Sequence, residues 1–282
     1  MERTAHRWRC GPHTLECGPR TLVMGILNVT PDSFSDGGRF FDPEAAVARG
    51  MRMVAEGADV LDVGGESTRP GSDQVAAAEE RDRVVPIVKR LAAEVSVPVS
   101  IDTRKAEVAA AALEVGATIV NDVTAGRDPA MFGVVRDSGA GLVLMHMKGE
   151  PKTMQEDPRY EDVVAEVRDY LRDRAAAAEA AGIAPDRLCV DPGLGFSKAT
   201  PHSLRLMKEN AVLAELGYPV LVGPSRKSFI GDALGGLTLD RRLAGTMGAV
   251  AYLAANGAHI VRVHDVREHV ELLRVVDAIL AS

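Results

Sequence analysis

Two short polar stretches, each directly after a short apolar run, are the parts of this sequence best suited to chemistry. Residues 191–198 read Asp-Pro-Gly-Leu-Gly-Phe-Ser-Lys and follow the run 188–190, and residues 225–231 read Ser-Arg-Lys-Ser-Phe-Ile-Gly and follow the run 219–222. A carboxylate or an ammonium group held where a strand ends, beside glycines that let a ligand approach the backbone, indicates a binding or catalytic site. Taken alone, each stretch could equally be a solvated turn.

The same arrangement recurs along the whole chain, which predicts a (β/α)8 TIM barrel. Eight short aliphatic runs have the length and composition of buried strands: residues 21–27, 59–63, 97–101, 118–121, 141–145, 187–190, 219–222 and 259–263. Between them lie stretches of helical period: residues 43–56, 76–94, 105–115, 160–181, 202–216, 239–256 and 266–280. Strands that alternate with helices form parallel βαβ units, and eight units favour a closed barrel. A doubly wound sheet is the alternative, but no Gly-x-Gly-x-x-Gly follows the first strand.

The N-terminal residues predict one addition to the barrel. Residues 7–18 alternate weakly around Gly11-Pro12 and predict a hairpin that closes the bottom of the barrel. We expect residues 1–282 to form one domain, with residues 1–20 as an N-terminal extension.

A polar side chain stands at the end of each predicted strand. In a (β/α)8 TIM barrel all these strand ends lie on one face. Asp102, Asn121, Asp191 and Lys227 stand on four different strands. They could converge on a flat heterocycle, because a carboxylate accepts two parallel N–H bonds, asparagine both donates and accepts, and lysine donates to a ring carbonyl. For a single residue the plainer explanation stays open, since Asp102 could be a helix cap.

A second polar set at the same strand ends suits an anion such as phosphate or pyrophosphate. It consists of Asn28, Arg69, Arg262 and His264, and the oxygen of Asn28 could also bind a hard cation. His264 on its own could be a buried structural histidine. Its position two residues after Arg262, at the end of a strand, favours a role in the site.

Composition excludes several classes of protein. The net charge of −7 and the lack of a long basic run argue against nucleic-acid binding. The three cysteines, Cys10, Cys17 and Cys189, lack the spacing of a metal site or a disulfide framework. The sequence contains no apolar stretch of the kind found in signal peptides or membrane spans, so we expect a cytoplasmic protein that binds neither membranes nor nucleic acids.

Seven segments in order make the chain resemble the dihydropteroate synthase family over residues 24–266. The segments are Gly25–Gly38 with Asn-Val-Thr-Pro-Asp-Ser-Phe-Ser-Asp-Gly-Gly, residues 62–71 with Asp-Val-Gly-Gly-Glu-Ser-Thr-Arg-Pro-Gly, residues 100–103, residues 121–123, residues 191–196, residues 225–228 and residues 262–265. The fold of that family is a (β/α)8 barrel, which agrees with the strand count. One departure is Ser197, where many members carry glycine.

The resemblance implies a reaction and a set of binding residues. The substrates would be 6-hydroxymethyl-7,8-dihydropterin pyrophosphate and 4-aminobenzoate, and the products 7,8-dihydropteroate and pyrophosphate. The pterin would contact Asp102, Asn121, Met145, Asp191, Phe196, Lys227 and Arg262. The pyrophosphate would contact Asn28, Thr68, Arg69, Arg262 and His264. The 4-aminobenzoate would contact Phe34, Thr68, Pro70, Phe196, Lys227 and Ser228.

The resemblance also implies catalytic groups, a cofactor and an assembly. Asp102 and Lys227 would be catalytic, and Asp36 would order the first loop or accept a proton. Mg2+ would bind at Asn28, and two copies of the chain would form a homodimer through late helices such as residues 239–256.

Two other functions share part of this pattern. A pterin-binding methyltransferase barrel would use the same acids and asparagine, but it has no evident need for the pyrophosphate set or for residues 225–228. A non-catalytic pterin-binding paralogue is expected to have lost residues of the long loops, and none is missing here.

Substitution of Phe34 tests whether the first loop closes over 4-aminobenzoate. We expect Phe34→Ala to raise the KM for 4-aminobenzoate roughly tenfold or more, because the lost apolar contact belongs to that substrate. The affinity for the pterin pyrophosphate should hardly change, since its polar ligands lie on the strand ends. Steady-state kinetics with each substrate varied in turn measures both effects. A variant that loses thermal stability but keeps its 4-aminobenzoate kinetics would make Phe34 a packing residue instead.

Overall fold

The computed structural model describes residues 4–30, 42–67, 71–150, 152–155 and 158–282. Within these ranges the strands are β1 (His6–Cys10), β2 (His13–Cys17), β3 (Leu22–Asn28), β4 (Val60–Gly64), β5 (Val99–Asp102), β6 (Ile119–Asp122), β7 (Gly141–Met145), β8 (Leu188–Asp191), β9 (Leu221–Val222) and β10 (Ile260–Val263). The helices are α1 (Pro43–Ala55), α2 (Ala77–Glu94), α3 (Ala106–Glu114), α4 (Met131–Ser138), α5 (Val163–Ala180), α6 (Thr200–Lys208), α7 (Ala211–Ala214), α8 (Ser228–Ala233), α9 (Leu243–Ala255) and α10 (Val266–Leu280).

The strands β3 to β10 form a parallel barrel, which confirms the predicted fold class. Their order in the sheet is β8-β7-β6-β5-β4-β3-β10-β9, and every pair of neighbours runs in parallel. A parallel bridge between Val190 and Val220 joins the two remaining edges and closes the circle. All the carboxyl ends of the strands therefore open on one face, the face where sites of such barrels lie.

The apolar side chains divide between the two faces of the strands. In β4, Leu61 and Val63 belong to the large cluster that packs against the helices, whereas Val60 belongs to a smaller cluster inside the barrel. Successive side chains on a strand point to opposite faces, so a strand buried on both faces is almost continuously apolar. This explains why the eight strands were recognisable as short aliphatic runs.

The N-terminal hairpin is present and closes the bottom of the barrel. Strands β1 and β2 pair in antiparallel register from His6–Cys17 to Cys10–His13. Trp8, Cys10 and Cys17 are fully buried and join the interior cluster formed by the strands. The indole Nε1 of Trp8 donates to the carbonyl oxygen of Arg187 at 3.0 Å, just before β8 begins. The hairpin therefore removes water from the lower part of the barrel interior.

The helices differ from the sequence-based expectation in four places. Helices α4 and α8 were not predicted, because they have only eight and six residues and lie close to glycines that obscure the helical period. The stretch 202–216 is divided into α6 and α7, which are separated by a short turn. Residues 239–241 form a 3-10 turn, so α9 begins later than expected.

One property of the helices bears on membranes. In the part of the chain that the structure describes, no helix combines the length and the apolar character needed to cross a lipid bilayer.

Candidate active site

A buried polar layer lies directly above the apolar interior of the barrel. In four strands, the residue two positions after a member of the interior apolar cluster is polar. These polar residues are Asp62, Asn121, Asp191 and Arg262. Residues two apart on a strand share a face. Because the apolar residues point into the barrel, the polar residues two positions later on the same strands also point into it.

The hydrogen-bond register places further functional residues level with one another. Asn28 pairs with Gly64, Gly64 with Asp102, and Asp102 with Asn121, so these residues form one row across four neighbouring strands. Gly64 lies directly between the two side chains, since a Cβ atom there would be in van der Waals contact with Cβ of Asp102 at 3.5 Å and with Oδ1 of Asn28 at 3.8 Å. Two of the predicted ligand sets thus meet at the top of the barrel.

Arg262 connects two buried carboxylates in the polar layer. Its Nε donates to Oδ2 of Asp62 at 2.5 Å, and its Nη2 donates to Oδ2 of Asp102 at 2.6 Å. Nδ2 of Asn121 also donates to Oδ2 of Asp62, at 3.0 Å. Oδ1 of Asp62 and Oδ1 of Asp102 are buried and have no hydrogen-bond partner among the described residues. Buried acceptors of this kind normally find a donor, so both oxygens are suited to an N–H group of a ligand or to water.

The pKa of Asp102 lies near neutrality. Burial raises the pKa of this carboxyl to about 7, and the negative charges of Asp62, Glu80 and Asp122 act in the same direction, against the stabilising charge of Arg262. The carboxyl can therefore change its protonation state near neutral pH. A positive charge that appears beside Asp102 would favour the ionised form.

Asp191, at the end of β8, and Lys227, just before α8, are two further buried charged groups that influence each other electrostatically. Burial raises the pKa of Asp191, and the charge of Lys227 opposes this shift. Burial lowers the pKa of Lys227 to about 7, and the charge of Asp191 opposes that shift. Oδ1 of Asp191 accepts a hydrogen bond from the backbone N–H of Gly193 at 2.7 Å. Nζ of Lys227 donates to the carbonyl oxygen of Leu194 and lies 4.1 Å from the centre of the Phe196 ring.

The turn after Asp191 requires glycine at position 193. Gly193 has φ of 66°, and a Cβ atom there would lie 2.1 Å from the carbonyl oxygen of His146. No side chain fits at that distance. The close approach joins the loop after β8 to the loop after β7.

An apolar wall borders the polar layer on the side of these two loops. Met145, at the end of β7, packs in a cluster with Val123, Met147 and Met154, and Phe196 packs against this cluster. Methionine and phenylalanine provide a polarisable surface suited to the face of a flat ring.

The loops after β9 and β10 are fixed to each other. Nδ1 of His264 lies 2.9 Å from Oγ of Ser225, and the backbone N–H of His264 donates to the same oxygen at 3.2 Å. Arg226 has φ of 59°, a strained value for a residue with a side chain, and its guanidinium pairs with both carboxylate oxygens of Asp265. These contacts set the position of the next residue, Lys227.

Several predicted residues fall outside the described part of the chain. They are Phe34, Asp36, Thr68, Arg69 and Pro70. The other predicted residues lie at or just beyond the carboxyl ends of the strands, with Ser228 as the first residue of α8. Two cavities of about 440 and 290 Å³ lie elsewhere, at the bottom of the barrel beside Arg20 and Asp59, and are not part of this site.

Asp62 is the main site residue to which the sequence reasoning gave no role. Asp62 lies in the segment 62–71, but only its place on the strand reveals its role. It follows the inward-facing Val60 by two positions, so its side chain also points into the barrel. Lys198 and His146 were also overlooked. Both are buried and contact each other behind Phe196, across 52 residues of sequence.

Asn28 is the residue that the sequence assigns to a hard cation. The described residues contain no group of three or more histidine, cysteine, aspartate or glutamate side chains placed to hold a metal. Mg2+ commonly keeps several waters and binds through one or two protein oxygens and the phosphates of a substrate. The half-buried Asn28, level with Asp102 in the row of strand ends, is compatible with that mode.

Comparisons with known proteins agree with this geometry. Residues 24–264 match the model of a family described as pterin binding enzyme. The chain is 46% identical to the dihydropteroate synthase of Escherichia coli over 260 residues, which is 92% of each chain. A solved Xanthomonas albilineans dihydropteroate synthase with 4-aminobenzoic acid superposes with a TM-score of 0.92 at 47% identity, covering 99% of this chain and 100% of the other. A second structure of that enzyme, in complex with 7,8-dihydropteroate, has a TM-score of 0.88 at 45% identity, covering 98% and 99%.

Substitution of Asp62 tests the electrostatic coupling inside the polar layer. We expect Asp62→Asn to lower the pKa of Asp102 from about 7. The substitution removes a negative charge that repels the Asp102 carboxylate, and Asp102 becomes the only carboxylate that pairs with Arg262. The free energy of unfolding should fall by roughly 1–3 kcal/mol, since a buried charged hydrogen bond is lost. NMR titration of 13C-labelled aspartate carboxyls measures the pKa, and denaturant unfolding measures stability.

Asp122→Asn is the matched control, because Asp122 affects the pKa of Asp102 less than Asp62 does and hydrogen-bonds Thr124 rather than Arg262. An unchanged or higher pKa of Asp102 in Asp62→Asn would contradict the coupling.

Proposed function

The chain belongs to the dihydropteroate synthase family of pterin-binding enzymes, and from this premise we propose how its own residues perform the reaction. The substrates are 6-hydroxymethyl-7,8-dihydropterin pyrophosphate and 4-aminobenzoate, and the products are 7,8-dihydropteroate and pyrophosphate. The observation that carries the proposal is the buried polar layer at the carboxyl ends of the strands, in which Arg262 donates to the carboxylates of both Asp62 and Asp102. The reaction belongs to folate biosynthesis.

Recognition of the pterin is assigned to Asp191, Asn121 and Lys227, together with Asp102, and to an apolar wall. The carboxylate of Asp191 accepts two parallel N–H bonds from the amino-pyrimidinone edge, as it would from a guanidinium. Asn121 has one N–H group occupied by Asp62, which leaves its carbonyl oxygen for a ring N–H. Lys227 donates to the ring carbonyl. Met145 and Phe196, which pack in one apolar cluster, cover the face of the ring.

Asp102 is assigned to the charge that develops during the reaction. Loss of pyrophosphate leaves positive charge on the exocyclic methylene group, and the electron-rich dihydropterin spreads that charge over its ring. The partnerless Oδ1 of Asp102 can accept a ring N–H, and this hydrogen bond strengthens as the ring becomes positive. The amine of 4-aminobenzoate then attacks the methylene carbon.

Arg262 has a more specific role than a general anion ligand. Two of its N–H groups are occupied by Asp62 and Asp102, so its charge acts first on those carboxylates. Its remaining donors can still face the pyrophosphate, together with Asn28 and His264. Thr68 and Arg69 are proposed to complete the pyrophosphate contacts from the second long loop.

Mg2+ is proposed to bind at Asn28 together with oxygens of the pyrophosphate. It would lower the energy of the departing group by withdrawing negative charge from it. The 4-aminobenzoate is proposed to lie between Phe196, Lys227 and Ser228 on the strand ends. Phe34, Thr68 and Pro70 would close on it from the loops, and Asp36 would order the first loop or accept the proton of the amine.

Release of pyrophosphate with both substrates present tests this function. We expect wild-type protein to release pyrophosphate only when both substrates are supplied, and Asp191→Asn to bind the pterin pyrophosphate at least about tenfold more weakly, since an acceptor is replaced by a donor facing N–H groups. A coupled pyrophosphate assay and calorimetry measure the two effects. Asp186→Asn, at an exposed position outside the site, is the control.

The outcomes separate the competing functions. Binding of the pterin without release of pyrophosphate would indicate a non-catalytic paralogue. Methyl transfer from a methylated pterin would indicate the methyltransferase barrel. Unchanged pterin affinity in Asp191→Asn would remove that residue from the site.

We propose that two copies of the chain form a homodimer through the surface that includes α9. Gly245 packs inward, because a Cβ atom there would lie 2.7 Å from Ile230 and Leu234, but a Cβ atom at Gly248 would meet nothing within 4 Å. Tyr252 lies one turn after Gly248, on the same helix face, and its side chain is exposed. A small residue beside an exposed aromatic residue is suited to close contact with a second copy.

Substitution of Tyr252 tests this interface. We expect Tyr252→Glu to shift the protein from dimer to monomer, because a charge would be buried between the copies. Sedimentation velocity at several concentrations measures the change. Met51→Glu, at a similarly exposed residue on α1, is the control. A monomeric wild type, or a variant that stays dimeric, would contradict the assignment.

We also propose a cytoplasmic location, because Cys10, Cys17 and Cys189 are all free thiols, as is usual in a reducing compartment. Cell fractionation would test this assignment.

A further inference from the structure

The ammonium group of Lys198 is buried behind the candidate site and is not among the residues proposed to bind the substrates. Lys198, between β8 and α6, is only 3% exposed. Its Nζ lies 2.9 Å from Nδ1 of His146, 3.3 Å from the carbonyl oxygen of His146 and 2.9 Å from the carbonyl oxygen of Phe196. All three partners are neutral. A buried lysine without a bound carboxylate is rare, so this group needs an explanation.

The geometry around Nζ matches the three donors of an ammonium group. Each of the three contacts can take one N–H, provided that Nδ1 of His146 is an acceptor. Burial, helped by the charges of Lys198 and Lys148, lowers the pKa of His146 to about 2. The imidazole is therefore neutral, and in the tautomer with its proton on Nε2 its Nδ1 accepts from Nζ of Lys198. Burial lowers the pKa of Lys198, and the charge of Asp191 opposes this shift.

The two residues that Lys198 joins are next to the apolar wall of the site. His146 directly follows Met145, and Phe196 faces Lys227 with its ring. One N–H of the ammonium group thus holds the backbone beside Met145, and another holds the backbone of Phe196. The side chain bridges the loop after β7 and the loop after β8 at the point where they line the site.

Ser197, between Phe196 and Lys198 in the sequence, makes an independent connection between the same loops. Its Oγ accepts a hydrogen bond from the backbone N–H of Lys148 at 2.8 Å, and its carbonyl oxygen accepts one from the hydroxyl of Tyr160 at 3.0 Å. Ser197 has φ of 48°, a strained conformation for a residue with a side chain. This turn directs the ring of Phe196 to one side and the side chain of Lys198 to the other.

We propose that Lys198 is a positioning residue, whose ammonium group joins the loops after β7 and β8 and so holds Phe196 and Met145 in the geometry that receives the two substrates. The assignment of those substrates rests on the proposed function. Lys198 touches neither reacting atom and acts through Phe196.

A double-mutant cycle tests this role. We expect Lys198→Met, which keeps the length of the side chain and removes the ammonium group, to raise the KM for 4-aminobenzoate about tenfold, with kcat per folded molecule changed by less than about threefold. In a Phe196→Ala background the same substitution should change KM by less than about twofold, because the ring that Lys198 positions is gone. Lys208→Met, at an exposed lysine on α6, is the matched control.

A merely structural role predicts a different result. Loss of stability alone would reduce the concentration of active enzyme, leave KM unchanged and give the same effect with and without the Phe196 ring. Equal effects of Lys198→Met in both backgrounds would overturn the proposal. If Lys198→Met does not fold, Ser197→Ala replaces it in the cycle, with an expected rise in KM of roughly two- to fivefold that also disappears with Phe196→Ala.

A second measurement does not depend on catalysis. In protein with 13C-labelled methionine methyl groups, Lys198→Met should shift the Met145 resonance, and Lys208→Met should not. Unperturbed Met145 would overturn the proposal even if wild-type protein releases no pyrophosphate, whereas absence of pyrophosphate release with a shifted Met145 would contradict only the proposed function.

Discussion

The guanidinium group of Arg262 lies between Asp62 and Asp102, and the rest of the site depends on this interaction. Both carboxylates are buried, and without a cation between them they would repel each other in a medium that screens charge poorly. Arg262 is suited to the task because its planar fork donates to both at once and stays charged. Asp62 then orients the amide of Asn121, so a single ion network determines which donors and acceptors face a ligand.

The network in turn depends on the apolar interior beneath it. Trp8 and the other hairpin residues fill the lower barrel, and the polar layer begins only where that filling ends. Water is therefore kept from one side of the charged groups, which is why burial is the largest influence on the pKa of both Asp102 and Lys227. The hairpin lies at the opposite end from the site, yet it contributes to the environment in which the site works.

The fold could be predicted well from the sequence, because the apolar strands and the polar residues at their ends can each be recognised from short stretches of sequence. Strands buried on both faces are short aliphatic runs, and polar residues end them, so the eight strands were found within a few residues of their observed bounds. Contacts between distant residues leave no such signal. Arg262 and Asp62 are 200 residues apart in the sequence. From the sequence alone Lys198 looks like an exposed lysine in a turn, whereas in the fold it contacts His146. The short helices α4 and α8 were missed because eight and six residues carry too little periodicity.

The electrostatics of the site favour a charged intermediate over the neutral ground state. Burial raises the pKa of Asp102 to about 7 and so holds this carboxyl at the border between its neutral and ionised forms. A pterin that becomes positive beside it stabilises the ionised form, and the attraction between the two grows as pyrophosphate departs. An interaction that strengthens along the reaction lowers the barrier, whereas equal binding throughout would not. Arg262 keeps this response in balance, because its charge favours the ionised form of Asp102. That charge is already shared between Asp62 and Asp102, so it opposes the pterin cation less than a free arginine would.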